Sequence, residues 1–235
     1  MPNKWHKTRR SIEKDYTFYD SPSMIWDKIN NKVWEYKTRQ EEYALRDLAY
    51  MCLMYLSTCR ASELCRARLI AGNKLSVKKE QFFYDGKFLK FRDAIILKRR
   101  EPILDKKGHS VIGPKGYPLY QAIQSLENYP KRIEIPLPLE GALSIFTIPI
   151  EAYLKTLRNK EELFKFRYTR GWQIVNNATG EMQHYLRDMG LKQYSRLLDR
   201  NINDLIHFSG HSRMENLVKY LGEGNLERKL LAAKI

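Results

Sequence analysis

Cysteine is scarce in this chain: three residues, Cys52, Cys59 and Cys65, among 235. The number is odd and no CxxC pair occurs, which argues against a disulfide scaffold and fits a reducing cytoplasm. Cys52 and Cys59 are seven apart, so on a helix they would share one apolar face as packing residues. No apolar run approaches the ~18 residues that span a bilayer, and no apolar segment near Met1 reads as a signal peptide. Neither a GxxxxGK[ST] phosphate loop nor an HExxH zinc motif is present. His207 and His211 are four apart, but no third ligand accompanies them, so a metal face is not expected. Acidic residues are in short supply: 27 Asp and Glu stand against 42 Lys and Arg, a net charge of +15. Such an excess attracts polyanions, and with no membrane segment in view it points to nucleic acid. At 43% hydrophobic residues the chain can bury a sizeable core, and its length suits one ordinary domain with short appendages.

Residues 1–14 carry Lys4, Lys7, Arg9, Arg10 and Lys14 and read as a basic arm. Ser21-Pro22-Ser23 marks a helix start, with Met24 to Tyr36 following as helix. A stronger helix is predicted from Glu41 to Ser57, where Leu45, Leu48, Ala49, Cys52, Leu53 and Leu56 form one buried stripe. Phe82 to Arg100 reads as a hairpin or meander about a turn at Asp85-Gly86. Residues 101–130, rich in Gly, Pro and Lys, read as an insertion or long loop with a short helix near Tyr120–Leu126. Ile133 to Leu139 is a short extended segment broken by Pro136 and Pro138. Helical patterns return at Thr147–Arg158 and dominate from Glu181 onward. Gly222-Glu223-Gly224 breaks off a small amphipathic tail, and no internal repeat is visible.

Three segments stand out chemically. Arg60 follows an apolar helix directly in Tyr55-Leu56-Ser57-Thr58-Cys59-Arg60-Ala61-Ser62-Glu63-Leu64. His184-Tyr185-Leu186-Arg187 places a histidine and an arginine three apart on one helix face. Gly210-His211-Ser212 is followed nine residues later by Tyr220. In this order the segments resemble the tyrosine recombinase (phage integrase) family, with its T-G-x-R-x-S-E-L stretch, H-x-L-R, G-H and downstream tyrosine. The matching positions are Arg60 with Glu63, His184 and Arg187, His211, and Tyr220, and the likeness runs from roughly Asp20 to Leu221. Phe88–Arg100 resembles the family's lysine-bearing β-hairpin, and Arg132–Leu137 the segment after it. Lys98 is then the choice for the catalytic lysine, with Lys90 and Lys106 as competitors. The style of the segments suggests an archaeal or archaeal-virus member. Departures are Cys59 where glycine is common, Asp188 where histidine is frequent, and Ser209 where leucine is usual. The separate DNA-clamping domain that family members commonly carry is not matched in the stretch before the central helix.

The resemblance implies an α+β fold, mainly α-helical with a small antiparallel sheet. The expected division is a basic arm over 1–14, a catalytic domain over 15–221 and a tail helix over 222–235. It implies site-specific cutting and rejoining of double-stranded DNA through a covalent 3′-phosphotyrosyl bond, with Arg60 and Arg187 on the non-bridging oxygens. His211 would add a hydrogen bond, His184 would serve as base or relay, and Lys98 would protonate the leaving oxygen. No metal, cofactor or small-molecule substrate is called for. A homo-tetramer on DNA in the cytoplasm, with no membrane association, completes the expectation. A type IB topoisomerase-like enzyme, or a DNA-binding module of the same shape that no longer cuts, are the alternatives.

Overall fold

A computed structural model of the chain describes residues 19–35, 41–68, 74–97, 100–114, 116–123, 129–199, 201–209 and 217. The predicted arm over 1–14 and the tail over 222–235 lie outside these residues. Helix α1 (Pro22–Glu35) begins where the Ser-Pro signal places it. Ser21 caps it: its Oγ accepts the Met24 N–H (3.3 Å) and its carbonyl the Ile25 N–H (3.0 Å), which serves donors that have no partner inside the first turn. Helix α2 spans Glu41–Ser57, as its apolar period predicts. The stripe is wider than expected, however: every residue from Leu48 to Ser57 is buried. A helix buried on all sides is the centre of a fold, and here helices from later in the chain and the main sheet surround it.

Short helix α3 (Ala61–Leu64) follows, then a two-stranded ribbon of β1 (Ala67–Arg68) and β2 (Lys74–Leu75). After a single 3₁₀ turn at Lys79–Gln81 come β3 (Phe82–Asp85) and β4 (Phe88–Ile95), an antiparallel hairpin. Its turn is Gly86-Lys87, one residue later than predicted, and Gly86 takes a left-handed φ of 52° that carries no steric cost without a Cβ. Strand β7 (Lys131–Pro138) completes a three-stranded antiparallel sheet in the order β3-β4-β7. Pro136 and Pro138 do not break it as the sequence reading held. The strand lies at the sheet edge, and a spacing of two puts both missing N–H groups on one side, where an edge tolerates them.

Residues 101–130 depart most from expectation. Among the described residues the stretch is paired rather than a long loop: β5 (Arg100–Pro102) pairs with β6 (Tyr120–Ala122), with further bridges Leu104–Ser110 and Ile112–Pro118 between them. The predicted short helix near Tyr120–Leu126 is therefore strand over Tyr120–Ala122, because pairing with β5 outweighs the weak local helical pattern; 124–128 lie outside the described residues.

Helix α4 (Ser144–Thr156) packs along α2, where Phe146 meets Tyr55 (centroids 4.6 Å) and Trp26 of α1 (5.6 Å). Helix α5 (Tyr168–Thr179) was not expected; it ends on Gly180, whose φ of 73° makes it the left-handed cap that glycine favours after a helix. Helices α6 (His184–Leu197) and α7 (Ile202–Ser209) follow. Two glycines set how closely α5 and α6 approach the centre. A Cβ on Gly190 would lie 2.2 Å from the Tyr55 carbonyl, and one on Gly171 would lie 2.5 Å from the Tyr50 hydroxyl. Ahead of α1, buried Asp20 is held by Lys28 (2.6 Å) and by the Tyr185 hydroxyl, which locks the chain entry onto α6. The fold is α+β. Among the described residues no helix is long and apolar enough to cross a membrane.

Candidate active site

The site is built on the end of α2. The chain leaves the helix at Ser57 and reverses at Thr58, whose φ of 52° is rare for a β-branched residue and costs roughly 1–3 kcal/mol. Thr58, and not Cys59, therefore holds the position that glycine takes without strain, and the departure assigned to Cys59 belongs one residue earlier. Cys59 also lies beyond the helix end, so it shares no helical face with Cys52. Its thiol is buried beside Glu63, Arg132 and Arg187, and burial pushes its pKa up.

Two arginines from distant segments secure this turn. Arg187, on α6 and only 4% exposed, donates from Nη1 to the Thr58 carbonyl (2.7 Å). Arg132, on β7, donates from Nη1 to the Ser57 carbonyl (2.6 Å) and from Nη2 to the Ser209 carbonyl at the end of α7 (2.8 Å), with a longer contact from Nη2 to the Thr58 carbonyl (3.4 Å). The last carbonyls of a helix lack partners within it and carry partial negative charge, so guanidinium groups are well matched to them.

Arg60 comes two residues after Thr58 and starts α3. The Glu63 carboxylate reaches back to it twice: Oε2 accepts the Arg60 N–H (2.7 Å) and Oε1 accepts from Nη1 (2.8 Å). This is the glutamate half of a capping box, and it fixes the guanidinium of a residue whose side chain is 14% exposed. Glu63 is itself buried and lies 3.8 Å from Arg132 Nη2. Three guanidinium groups thus gather around one carboxylate and one strained turn. The local balance is positive, and guanidinium forks suit the oxygens of phosphate or carboxylate.

The remaining predicted residues fall unevenly around this cluster. His184 is the first residue of α6 and is exposed, one turn before the buried Arg187. Of the lysines, Lys90 bridges Asp85 and Glu134 at 2.9 Å each. Those carboxylates, Asp85 foremost, raise its pKa, opposite to what a proton donor at neutral pH needs. Lys106 occupies an exposed turn. Lys98 lies outside the described residues, but Leu97 just before it directs its N–H to Glu63 Oε1 at a long 3.4 Å. His211 and Tyr220 also lie outside. The chain is anchored on either side of His211: Ser209 through Arg132, and Leu217, three residues before Tyr220, by burial against Leu191 and Leu205.

Arg132 is the residue that the sequence reading passed over. A single arginine at the start of an apolar strand gives no sign of facing inward, and only the carbonyls it gathers reveal its place.

No protein-family model matches the chain, and no curated protein matches it.

Proposed function

We propose that the chain is a DNA strand-cleaving and rejoining enzyme of the tyrosine recombinase type, with Tyr220 as nucleophile. The observation that supports this most is the convergence of Arg60, Glu63 and Arg187, from segments more than a hundred residues apart in the chain, on the single turn at Thr58. A phosphodiester is anionic and repels nucleophiles, so its cleavage needs fixed positive charge where the transition state grows negative. Glu63 orients Arg60, the Thr58 carbonyl orients Arg187, and both guanidinium groups would grip the non-bridging oxygens.

In this reading the Tyr220 hydroxyl oxygen attacks phosphorus and the bond to the 5′ oxygen breaks. The phenolic proton passes to His184 or, through it, to solvent, and the 5′ oxygen takes a proton from Lys98. The product is a 3′-phosphotyrosyl ester and a free 5′ hydroxyl. One ester replaces another, so a 5′ hydroxyl can reverse the step and rejoin DNA without a nucleotide cofactor. His211 would add a hydrogen bond to the phosphate. Its partner is double-stranded DNA, and exchange of strands would require a tetramer.

The test is incubation with a pool of duplexes nicked so that the cleaved 5′ fragment diffuses away, followed by denaturing electrophoresis in excess chelator. A covalent adduct should accumulate, map to Tyr220, and vanish in Tyr220→Phe while DNA binding persists through its dispersed backbone contacts. An adduct mapping to another tyrosine, or cleavage that needs added magnesium, refutes the assignment. Relaxation of supercoiled DNA by a monomer would favour the topoisomerase-like alternative.

A further inference from the structure

The segment between β5 and β6 contains an eight-residue repeat that its composition conceals. Leu104-Asp105-Lys106-Lys107-Gly108-His109-Ser110-Val111 aligns with Ile112-Gly113-Pro114-Lys115-Gly116-Tyr117-Pro118-Leu119, with Lys-Gly followed by a ring at the same place in each. The backbone repeats with it. Asp105 donates its N–H to the His109 carbonyl (2.8 Å) as Gly113 does to Tyr117 (2.8 Å), and Gly108 donates to Asp105 (3.0 Å) as Gly116 does to Gly113 (2.9 Å). Gly108 and Gly116 both take left-handed φ values, 83° and 75°. Beneath the turns three residues spaced by eight close a ring of hydrogen bonds: Ile103 N–H to the Leu119 carbonyl (2.9 Å), Leu119 to Val111 (2.8 Å) and Val111 to Ile103 (2.8 Å). Two equivalent turns therefore project from one stub whose backbone groups are internally satisfied.

What the turns display is basic and solvent-facing. From Ile103 to Leu119 the chain has three lysines and one acid. The acid, Asp105, engages its own loop, where Oδ1 accepts the N–H groups of Lys107 (2.8 Å) and His109 (2.9 Å). Lys106 and Lys107 are exposed. So are Leu104, Ile112 and Leu119, and Tyr117 is 74% exposed. Exposed apolar groups rimmed by positive charge mark an interaction surface, and a polyanion is the partner whose charge complements it.

We propose that residues 103–119 form a two-pronged arm that holds the sugar–phosphate backbone of duplex DNA beside the cleaved phosphate. The lysines pair with phosphates, and Tyr117 with its apolar neighbours lies against the sugars. The choice of DNA over an acidic protein rests on the function proposed above. It rests also on chain continuity, since the arm leaves through Arg100, two residues after Lys98. Such an arm gives a hold on DNA outside the catalytic cluster.

The test uses the full chain with a long mixed-sequence duplex, comparing wild type, Lys107→Glu, Tyr117→Ala and the double variant. Binding is measured against salt concentration, and the protected region is mapped by hydroxyl-radical footprinting. Lys107→Glu should weaken binding about tenfold and lower the slope of log K against log salt by about one. The double variant should lose protection on one flank. Unchanged melting temperature would tie these losses to contact, since both side chains are exposed. Unaltered affinity, slope and footprint in the double variant overturn the arm and leave the covalent chemistry of Tyr220 untouched. Loss of binding by the variants in a protein that forms no adduct keeps the arm and refutes the proposed reaction. A wild type that binds no duplex overturns both.

Discussion

Replacing Arg132 should cost far more than its place on an edge strand suggests. Its guanidinium makes two short bonds, to the Ser57 carbonyl (2.6 Å) and the Ser209 carbonyl (2.8 Å). Hydrogen bonds from a charged donor contribute ~1.5–3 kcal/mol each, so the pair is worth roughly 3–6 kcal/mol. Arg132→Ala would also leave buried Glu63 with one arginine fewer, and truncating one member of a buried ion pair costs ~3–5 kcal/mol. These figures overlap and are not additive, since the same nitrogen serves both Ser209 and Glu63. We expect a loss of about 4 kcal/mol against a total stability of about 5–15 kcal/mol. Urea unfolding followed by circular dichroism measures it, with the slope unchanged and the midpoint shifted. Should Arg132→Ala fail to fold, Arg132→Lys serves. A single ammonium cannot span two carbonyls in divergent directions, so about half the loss should remain. If either variant unfolds within ~0.5 kcal/mol of wild type, as an ordinary surface change does, Arg132 is not what holds the α2 and α7 ends together.

Gly190→Ala should destabilise by at least ~1–3 kcal/mol, because its Cβ would meet the Tyr55 carbonyl at 2.2 Å; Gly180→Ala, strained by φ 73° but with nothing within 4 Å, should cost only about 1 kcal/mol, and equal losses in thermal melts would refute the close-approach account. Stability should fall as pH rises above about 9. Burial raises the thiol pKa values of Cys52 and Cys59 and takes Cys65 up from 9.0 to about 12. Above pH 9 the unfolded chain releases protons that the folded one keeps, so each such thiol removes about 1.4 kcal/mol per pH unit until its folded pKa is reached. Urea midpoints that do not change between about pH 8 and pH 10 would contradict this. Lys98→Ala should slow cleavage severely, and a 5′-phosphorothiolate substrate, whose sulfur leaves unprotonated, should recover most of the rate. Lys90→Ala should leave cleavage nearly intact, and the rescue appearing there instead would move the proton donor to Lys90.

The sequence was informative where periodicity and local chemistry agree. Helix α2 was legible because Leu45 through Leu56 repeat at helical spacing, and the start of α1 because Ser21-Pro22 is a start signal. The β3-β4 hairpin showed through its Gly86 turn. Helix α5 was missed: Gly171 and the polar Asn176-Asn177 weaken its pattern, and Gly171 is present because Tyr50 presses against it, a tertiary reason invisible locally. The arm over 103–119 was misread for the same cause. Its Gly and Pro mark turns, but the hydrogen-bonded ring that makes two turns equivalent joins residues eight and sixteen apart. In the site, Arg60, Glu63 and Arg187 were singled out through the resemblance of their segments to a family's ordered motifs, whereas the left-handed Thr58 and the inward Arg132 were not. Both are defined by carbonyl directions at a helix end, which side-chain identity does not encode.

That division of labour has a mechanistic consequence. Arg132 binds main-chain carbonyls at short range through Nη1 and Nη2, which cannot turn to a substrate without releasing Ser57 or Ser209, while its Nε is buried without a partner among the described residues. Arg60 is different: its guanidinium meets Glu63 through Nη1 alone, one of five N–H donors, and its side chain is partly open to solvent. Arg187 stands between the two, buried and committed to the Thr58 carbonyl through Nη1. A phosphate entering beside Arg60 and Arg187 would therefore meet groups already oriented before it arrives, with no reorganisation left for the transition state. The strain at Thr58 is sustained by the same bonds that aim Arg187. Relaxing that turn should thus misdirect an arginine 129 residues away in the chain, so Thr58→Gly should lower the cleavage rate on a suicide duplex by severalfold while the urea midpoint stays level or rises. A rate equal to wild type would mean that the strain at Thr58 plays no part in aiming Arg187.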